Sequence, residues 1–251
     1  MSDYNASNYT EQGGARDVIG GSLDVISGGE LDIESGGALK LAGTQVTATA
    51  AELNKLSGST VTAQQINALS RFIDSDGDIT LLYPQWEDLR FPAAGINPPG
   101  AASDPARDTG DGRLSFSASA TNIIAIQVQM PHDWLPGSAI EPHIHWSPTD
   151  NNAGNVYWRL EYKIANISEA FPGSFTPINT LAAASGTNDM HQIHDAGSIS
   201  MSGKTISCMI LILLSRIGGD GTDTYAGAAK LNEFDIHYQR NSFGSKQELI
   251  K

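Results

Sequence analysis

The sequence predicts a mainly β chain in two parts: a short repeat segment that depends on copies of itself, then an antiparallel β-sandwich of jelly-roll type. Three observations carry that prediction. First, bulky residues are unevenly placed: all 11 prolines lie from Pro84 onward, all four tryptophans from Trp86 and all six histidines from His132. Of the 18 aromatic residues only Tyr4 and Tyr9 precede Phe72, and about 70 residues with so few large side chains do not build a core alone. Second, the early part is repetitive. Third, the later part is a series of short strand-like runs between turn clusters, without a helical period.

The repeats come first along the chain. Residues 20–43 read GGSLDVIS, GGELDIES, GGALKLAG, three octads each headed by Gly-Gly. Within the octads the apolar residues alternate as Leu23/Val25, Leu31/Ile33 and Leu39/Leu41. That is the period of a strand with one apolar face, and the glycine pairs suit tight corners. Three octads bury too little area to hold a lone sheet, so the apolar faces are expected to stack against other chains. A second repeat aligns residues 49–56 (TAAELNKL) with 62–69 (TAQQINAL). Each copy opens with Thr and has Glu or Gln three residues later, the capping-box pattern, which predicts short helices over 49–56 and 62–69. Their stripes, Leu53/Leu56 and Ile66/Leu69, are too short to be stable in water unless buried, and a parallel three-chain bundle would bury them. Periodicity by itself implies self-association.

The TAAELNKL unit, with Gly-rich octads before it, resembles the shaft modules of bacteriophage fibre proteins, over about residues 20–70. The resemblance implies a parallel homotrimer and a place on the virion, synthesised in the bacterial cytoplasm. On this reading residues 1–19 are a flexible attachment segment to other virion proteins of capsid or tail, 20–71 a trimeric shaft, and 79–251 a head displayed outward. Between shaft and head, Asp74-Ser75-Asp76-Gly77-Asp78 has the spacing of a calcium-loop opening. Ile79 and Gln85 stand where such a loop needs Gly and Glu, so a solvated Asp-Gly turn is expected.

In the head the expected strands are 79–83, 113–119, 123–130, 140–146, 156–164, 191–199, 205–216 and 234–239, with a long Pro-rich loop over 92–111. Residues 208–214 are apolar on both faces, as in a covered central strand, and Cys208 reads as an inert buried thiol. Short motifs here, Glu141-Pro142-His143-Ile144-His145-Trp146, VYWRLEY (156–162) and Glu233-Phe234-Asp235-Ile236-His237-Tyr238 with Phe243-Gly244-Ser245, resemble a terminal domain of uncharacterised phage structural proteins.

Composition narrows function. With 15 Lys and Arg against 28 Asp and Glu, the net charge is −13, and without a basic cluster no nucleic acid or anionic membrane is an expected partner. A single cysteine excludes an internal disulfide framework and a Cys-rich zinc site. No apolar run approaches a membrane span and the N-terminus lacks a signal-peptide pattern, so the chain reads as soluble and made in a reducing compartment.

The sharpest chemical candidate is Gly137-x5-His143-x-His145, the opening of the cupin metal motif. Histidines at i and i+2 on a strand share a face, as two imidazole ligands require. His237 is the candidate third ligand, since His237-x3-Asn241 echoes the end of the second cupin motif. The Glu expected after the second histidine is missing, Asp150 being a loose stand-in, and so is a Pro-x-Gly turn before His237. A hydrogen-bonded histidine pair between tryptophans, or histidines around a trimer axis, are the competing readings, and the expectation is no catalytic residue, no resident metal and no cofactor. His191 and His194, beside Asp189 and Asp195, read as surface decoration. Ser202-Gly203-Lys204-Thr205 ends like a phosphate loop but leads into a strand former, and so reads as a turn. Carboxylate pairs for glycoside cleavage leave no sequence signature, and Trp86, Trp134, Trp146 and Trp158 suit either sugar stacking or a core. The function expected is therefore a non-enzymatic head fibre or decoration spike that contacts a host-surface glycan or protein. The alternatives are a tail fibre or receptor-binding protein, a carbohydrate-binding head without a particle role, and a cupin-like metal-binding enzyme.

Overall fold

The computed structural model describes residues 8–11, 16–19, 22, 24–33, 37–54, 62, 64–65, 67, 72–73, 79–98 and 100–249. The chain divides into two units, Met1–Val61 and Thr62–Lys251.

In the first unit β1 (Asn8–Glu11) and β2 (Arg16–Ile19) form an antiparallel hairpin in the register Asn8↔Ile19 to Glu11↔Arg16. Both strands lie within residues 1–19, the segment expected to attach the chain to other virion proteins. In the octads, the described residues show strand pairing only at β3 (Lys40–Leu41) with β4 (Thr44–Gln45). A strand with one apolar face needs a neighbour to complete its ladder, and among the described residues of a single chain the other octads have none. Helix α1 (Ala50–Asn54) falls inside the expected 49–56. Its capping box is formed: the Thr49 N–H donates to Glu52 Oε2 at 2.7 Å and the Glu52 N–H to Thr49 Oγ1 at 3.2 Å. Thr62 and Gln65 repeat the exchange at 2.8 and 3.2 Å, and residues 64, 65 and 67 are helical. Residues 55–56 and 68–69 lie outside the described residues, as does the turn expected over 74–78. Ile73 bridges Ile79 antiparallel.

The second unit carries β5 (Thr80–Pro92), β6 (Ala106–Arg107), β7 (Leu114–Phe116), β8 (Thr121–Gln129), β9 (Ile140–Pro148), β10 (Asn155–Ala165), β11 (Thr176–Ala183), β12 (Gln192–Asp195), β13 (Met209–Ile217) and β14 (Ala229–Ser242). They form two antiparallel sheets. One has the order β11-β10-β13-β8; the other has β12-β9-β14-β7-β6, with β5 pairing β14 beyond β7. From β8 to β14 the chain changes sheet at every connection except β10 to β11, a jelly-roll-like order.

The sheets enclose one core, in which Trp158 of the four-stranded sheet meets Phe116 and Trp146 of the other edge-on, at ring separations of 5.2 and 6.5 Å. Trp134 is also fully buried, whereas Trp86 on the edge strand β5 is 56 % exposed. Strand β13 is central, with Ile210, Ile212 and Leu214 inward, while Met209, Leu211 and Leu213 on its other face are only half-buried. Cys208 is buried, and burial pushes its thiol up to about 11.

A buried arginine closes one end of the sandwich. Arg216 pairs with Asp223 at 2.7 Å, with both side chains fully buried, and donates to the carbonyls of Phe116, Gly227 and Tyr225. The Tyr157 N–H donates to the same Asp223 at 3.0 Å. The loop before β14 is thus tied across both sheets. Residues 202–203 turn as expected, with the Lys204 N–H donating to the Met201 carbonyl. Among the described residues no helix is long and apolar enough to cross a membrane.

Candidate metal centre on the outer sheet face

Two strands set the site by simple alternation. In β9, Ile140, Ile144 and Trp146 point into the core, which leaves Glu141, His143 and His145 on the outer face. In β14, Phe234, Ile236 and Tyr238 point inward, which leaves Glu233, Asp235 and His237 outward. The ladders then align these sets: Asp235 sits opposite His143 on one side and Arg90 of β5 on the other, and His237 sits between Glu141 and Asp88. A bulge on β14 between Leu231 and Glu233 leaves Asn232 without a register partner on β9 and brings Glu233 opposite His145.

Asp235 is the centre of the group. It is 4 % exposed, on a face that otherwise meets solvent. Its Oδ2 lies 3.2 Å from His145 Nε2 and 3.4 Å from His237 Nε2. Its Oδ1 has no hydrogen-bond partner and lies 3.8 Å from His143 Nδ1, itself buried and without one. The imidazoles of His143 and His237 lie with ring centroids 4.0 Å apart. Burial, and then the neighbouring His237, hold His143 below its ordinary value, so its ring tends to stay neutral. His237 Nε2 also approaches Asp88 Oδ1 at 3.2 Å.

The surrounding groups are committed elsewhere. Arg90 is held by Glu233 through two hydrogen bonds of 2.6 and 2.7 Å, and that pair keeps the Glu233 carboxyl below its usual range. His145 Nδ1 bonds His191 Nε2 at 2.8 Å, with the two rings stacked. His145 thus bridges Asp235 and His191 through its two ring nitrogens. A cleft of about 370 Å³ opens here, lined by Asp88, Arg90, His145, His191, Asn232, Glu233 and Asp235.

All three histidines marked from sequence, His143, His145 and His237, thus come together, but on the outer face of a sheet and not between the sheets. Among the described residues, His143 and His237 combine with Asp235 into a group whose ligand atoms lie within 4.8 Å of one another. Asp150, the stand-in acid, is engaged by Tyr225 and the Asn152 N–H. His191, read as surface decoration, belongs to the site through His145. His194 bonds Thr180 instead, and His132 bonds Ser207 and Ser245. Sequence reasoning missed Asp235, Asp88, Arg90 and Glu233. The outward alternation Glu233, Asp235, His237 in EFDIHY was a usable signal for two of them; the pairing with β5 was not in the sequence pattern.

No family model and no curated protein sequence matches the chain. Among solved structures it is similar to an isomalto-dextranase of Arthrobacter globiformis T6, at 18 % identity and a TM-score of 0.34, over 59 % of this chain and 23 % of that one. It is also similar to the CBM36-1 domain of a multidomain xylanase from the hindgut metagenome of Trinervitermes trinervoides, at 9 % identity and a TM-score of 0.36, over 60 % and 96 %. A family 35 carbohydrate binding module from Clostridium thermocellum gives 7 % identity and a TM-score of 0.34, over 63 % and 99 %. The chain spans less than a quarter of the isomalto-dextranase, and likenesses of this degree transfer neither family nor activity.

Proposed function

We propose that this chain is a virion structural protein of a tailed phage: a homotrimeric head fibre or decoration spike with an outward jelly-roll head. The observation that carries the reading is the state of the octads in a single chain. Leu31 and Leu41 are 67 % and 64 % exposed, and Val25, Ile33, Leu39 and Leu53 are exposed beside them. Apolar residues repeated in register and left open to water are what a self-associating segment needs. The two capping boxes support it further, since each starts a helix too short to stand alone. The resemblance of TAAELNKL to phage shaft modules supplies the number three and the particle address. Residues 1–19 attach the spike to a capsid or tail protein, and the shortness of the repeat segment favours the capsid. Three heads on one stalk multiply weak contacts with a host-surface glycan or protein into retention.

Light scattering on the full-length protein tests the reading. Three chains of 26.6 kDa give about 80 kDa. A mass of one or two chains removes the fibre, and particles that lack the protein yet adsorb normally reduce it to decoration.

A further inference from the structure

The geometry points to a divalent transition-metal site at His143, Asp235 and His237 on the outer face of the sandwich, held within one chain and independent of the virion reading.

The argument starts from Asp235. A carboxylate that is 4 % exposed needs a countercharge or a full set of hydrogen bonds. Its Oδ2 receives His145, but Oδ1 receives nothing. Arg90, opposite it across the ladder, spends its fork on Glu233. The group facing Oδ1 is His143 Nδ1 at 3.8 Å, too far for a hydrogen bond. Two unpartnered buried ligand atoms at that distance are instead close to the separation of two atoms bound to one ion, about 3.4 Å for tetrahedral bonds of about 2.1 Å. His237 completes the set: one ligand atom from each of the three residues lies within 4.8 Å of the others, so only a small closure is required. Asp88 Oδ1, 3.2 Å from His237 Nε2, is the nearest further oxygen donor.

The donor set selects the ion class. Two imidazole nitrogens and one carboxylate suit Zn²⁺ and its first-row neighbours, whereas Ca²⁺ and Mg²⁺ prefer all-oxygen shells. The surroundings fit a metal centre as well. Asp235 is fixed from behind by His145, which is fixed in turn by His191 at 2.8 Å, as outer-shell groups fix ligating carboxylates. The ligands sit on β9 and β14, and Asp88 on β5, so an ion here would pin three adjacent strands.

The test is Zn²⁺ titration of the chelator-treated full-length protein at pH 7.5, followed by calorimetry, elemental analysis and melting temperature. The expected result is one Zn²⁺ per chain and a higher melting temperature with Zn²⁺, with millimolar Mg²⁺ or Ca²⁺ giving no shift. Asp235→Asn and His237→Ala each weaken Zn²⁺ binding at least a hundredfold. His145→Ala weakens it by about 10- to 100-fold. Should Asp235→Asn fail to fold, His237→Ala decides the matter, because that side chain is 29 % exposed on the outer face of the sheet. Absence of stoichiometric Zn²⁺, binding that survives His237→Ala, or one ion per three chains would each overturn the site. The last outcome means histidines gathered around a symmetry axis.

Discussion

The two units of this chain treat their apolar residues in opposite ways. In the sandwich, alternate residues of strands from two sheets meet each other, and three tryptophans are fully buried within one chain. In the first unit no residue of described exposure is buried, and Leu31, Leu39 and Leu41 stand open. The difference lies in sequence separation and bulk. The sandwich pairs Trp158 with Phe116 and Trp146 from distant strands, whereas the octads carry a few aliphatic residues per repeat and no aromatic one. On the reading proposed above, the sandwich is a complete unit and the octads are one component of an assembly.

The strongest way to break this comparison is to damage the complete unit. Arg216→Met leaves Asp223 buried and uncompensated, and the expected loss is about 3–5 kcal/mol of sandwich stability in denaturant titration. An unchanged midpoint would mean that the ion pair is not the clasp it resembles.

The next effect falls on the incomplete unit. Changing Leu31, Ile33, Leu39 and Leu41 together to Ser removes side chains each worth about 1.5–3 kcal/mol when buried. The mass by light scattering is expected to fall to that of one chain, with the far-ultraviolet signal and melting of the sandwich retained. A trimer that persists would place the association elsewhere.

A pH experiment sharpens the view of the core. The Cys208 thiol has a folded value raised to about 11 from 9.0, so above pH 9 the unfolded chain releases a proton that the folded chain keeps. Stability is whole below pH 9 and falls as pH rises towards 11. Tyr238, raised by burial and by Asp133, adds the same sign above pH 10. Cys208→Ala is expected to flatten the lower part of that slope, and the native thiol to resist alkylation until the protein unfolds.

The smallest effect belongs to the caps. Thr49→Ala removes one side of a reciprocal pair and is expected to cost about 0.5–2 kcal/mol of local helix stability. It should appear as faster amide exchange at the start of α1, with the sandwich unchanged.

Legibility followed the same division. Strands β8, β9, β10, β13 and β14 were readable because burial on one face imposes alternation, and both capping boxes because their partners lie three residues apart. Two exposed edge strands, β5 and β11, were not. Most of β5 passed unnoticed because Pro84 and Pro92 sit in it and its residues are mostly exposed. Strand β11 has a largely exposed pattern and Pro177. An exposed edge strand that holds prolines keeps little of the usual alternation.

The site divides in the same way. The sequence by itself determined that His143 and His145 share a face and that Glu233, Asp235 and His237 share another, since each follows from a two-residue period along one strand. Only the tertiary structure decided that those two faces are one face, that Asp235 lies buried between histidines with an oxygen unmatched, and that Arg90 is spent on Glu233. Those facts depend on which strands are neighbours and in what register, a choice made by packing the whole core at once and so not written in any one segment.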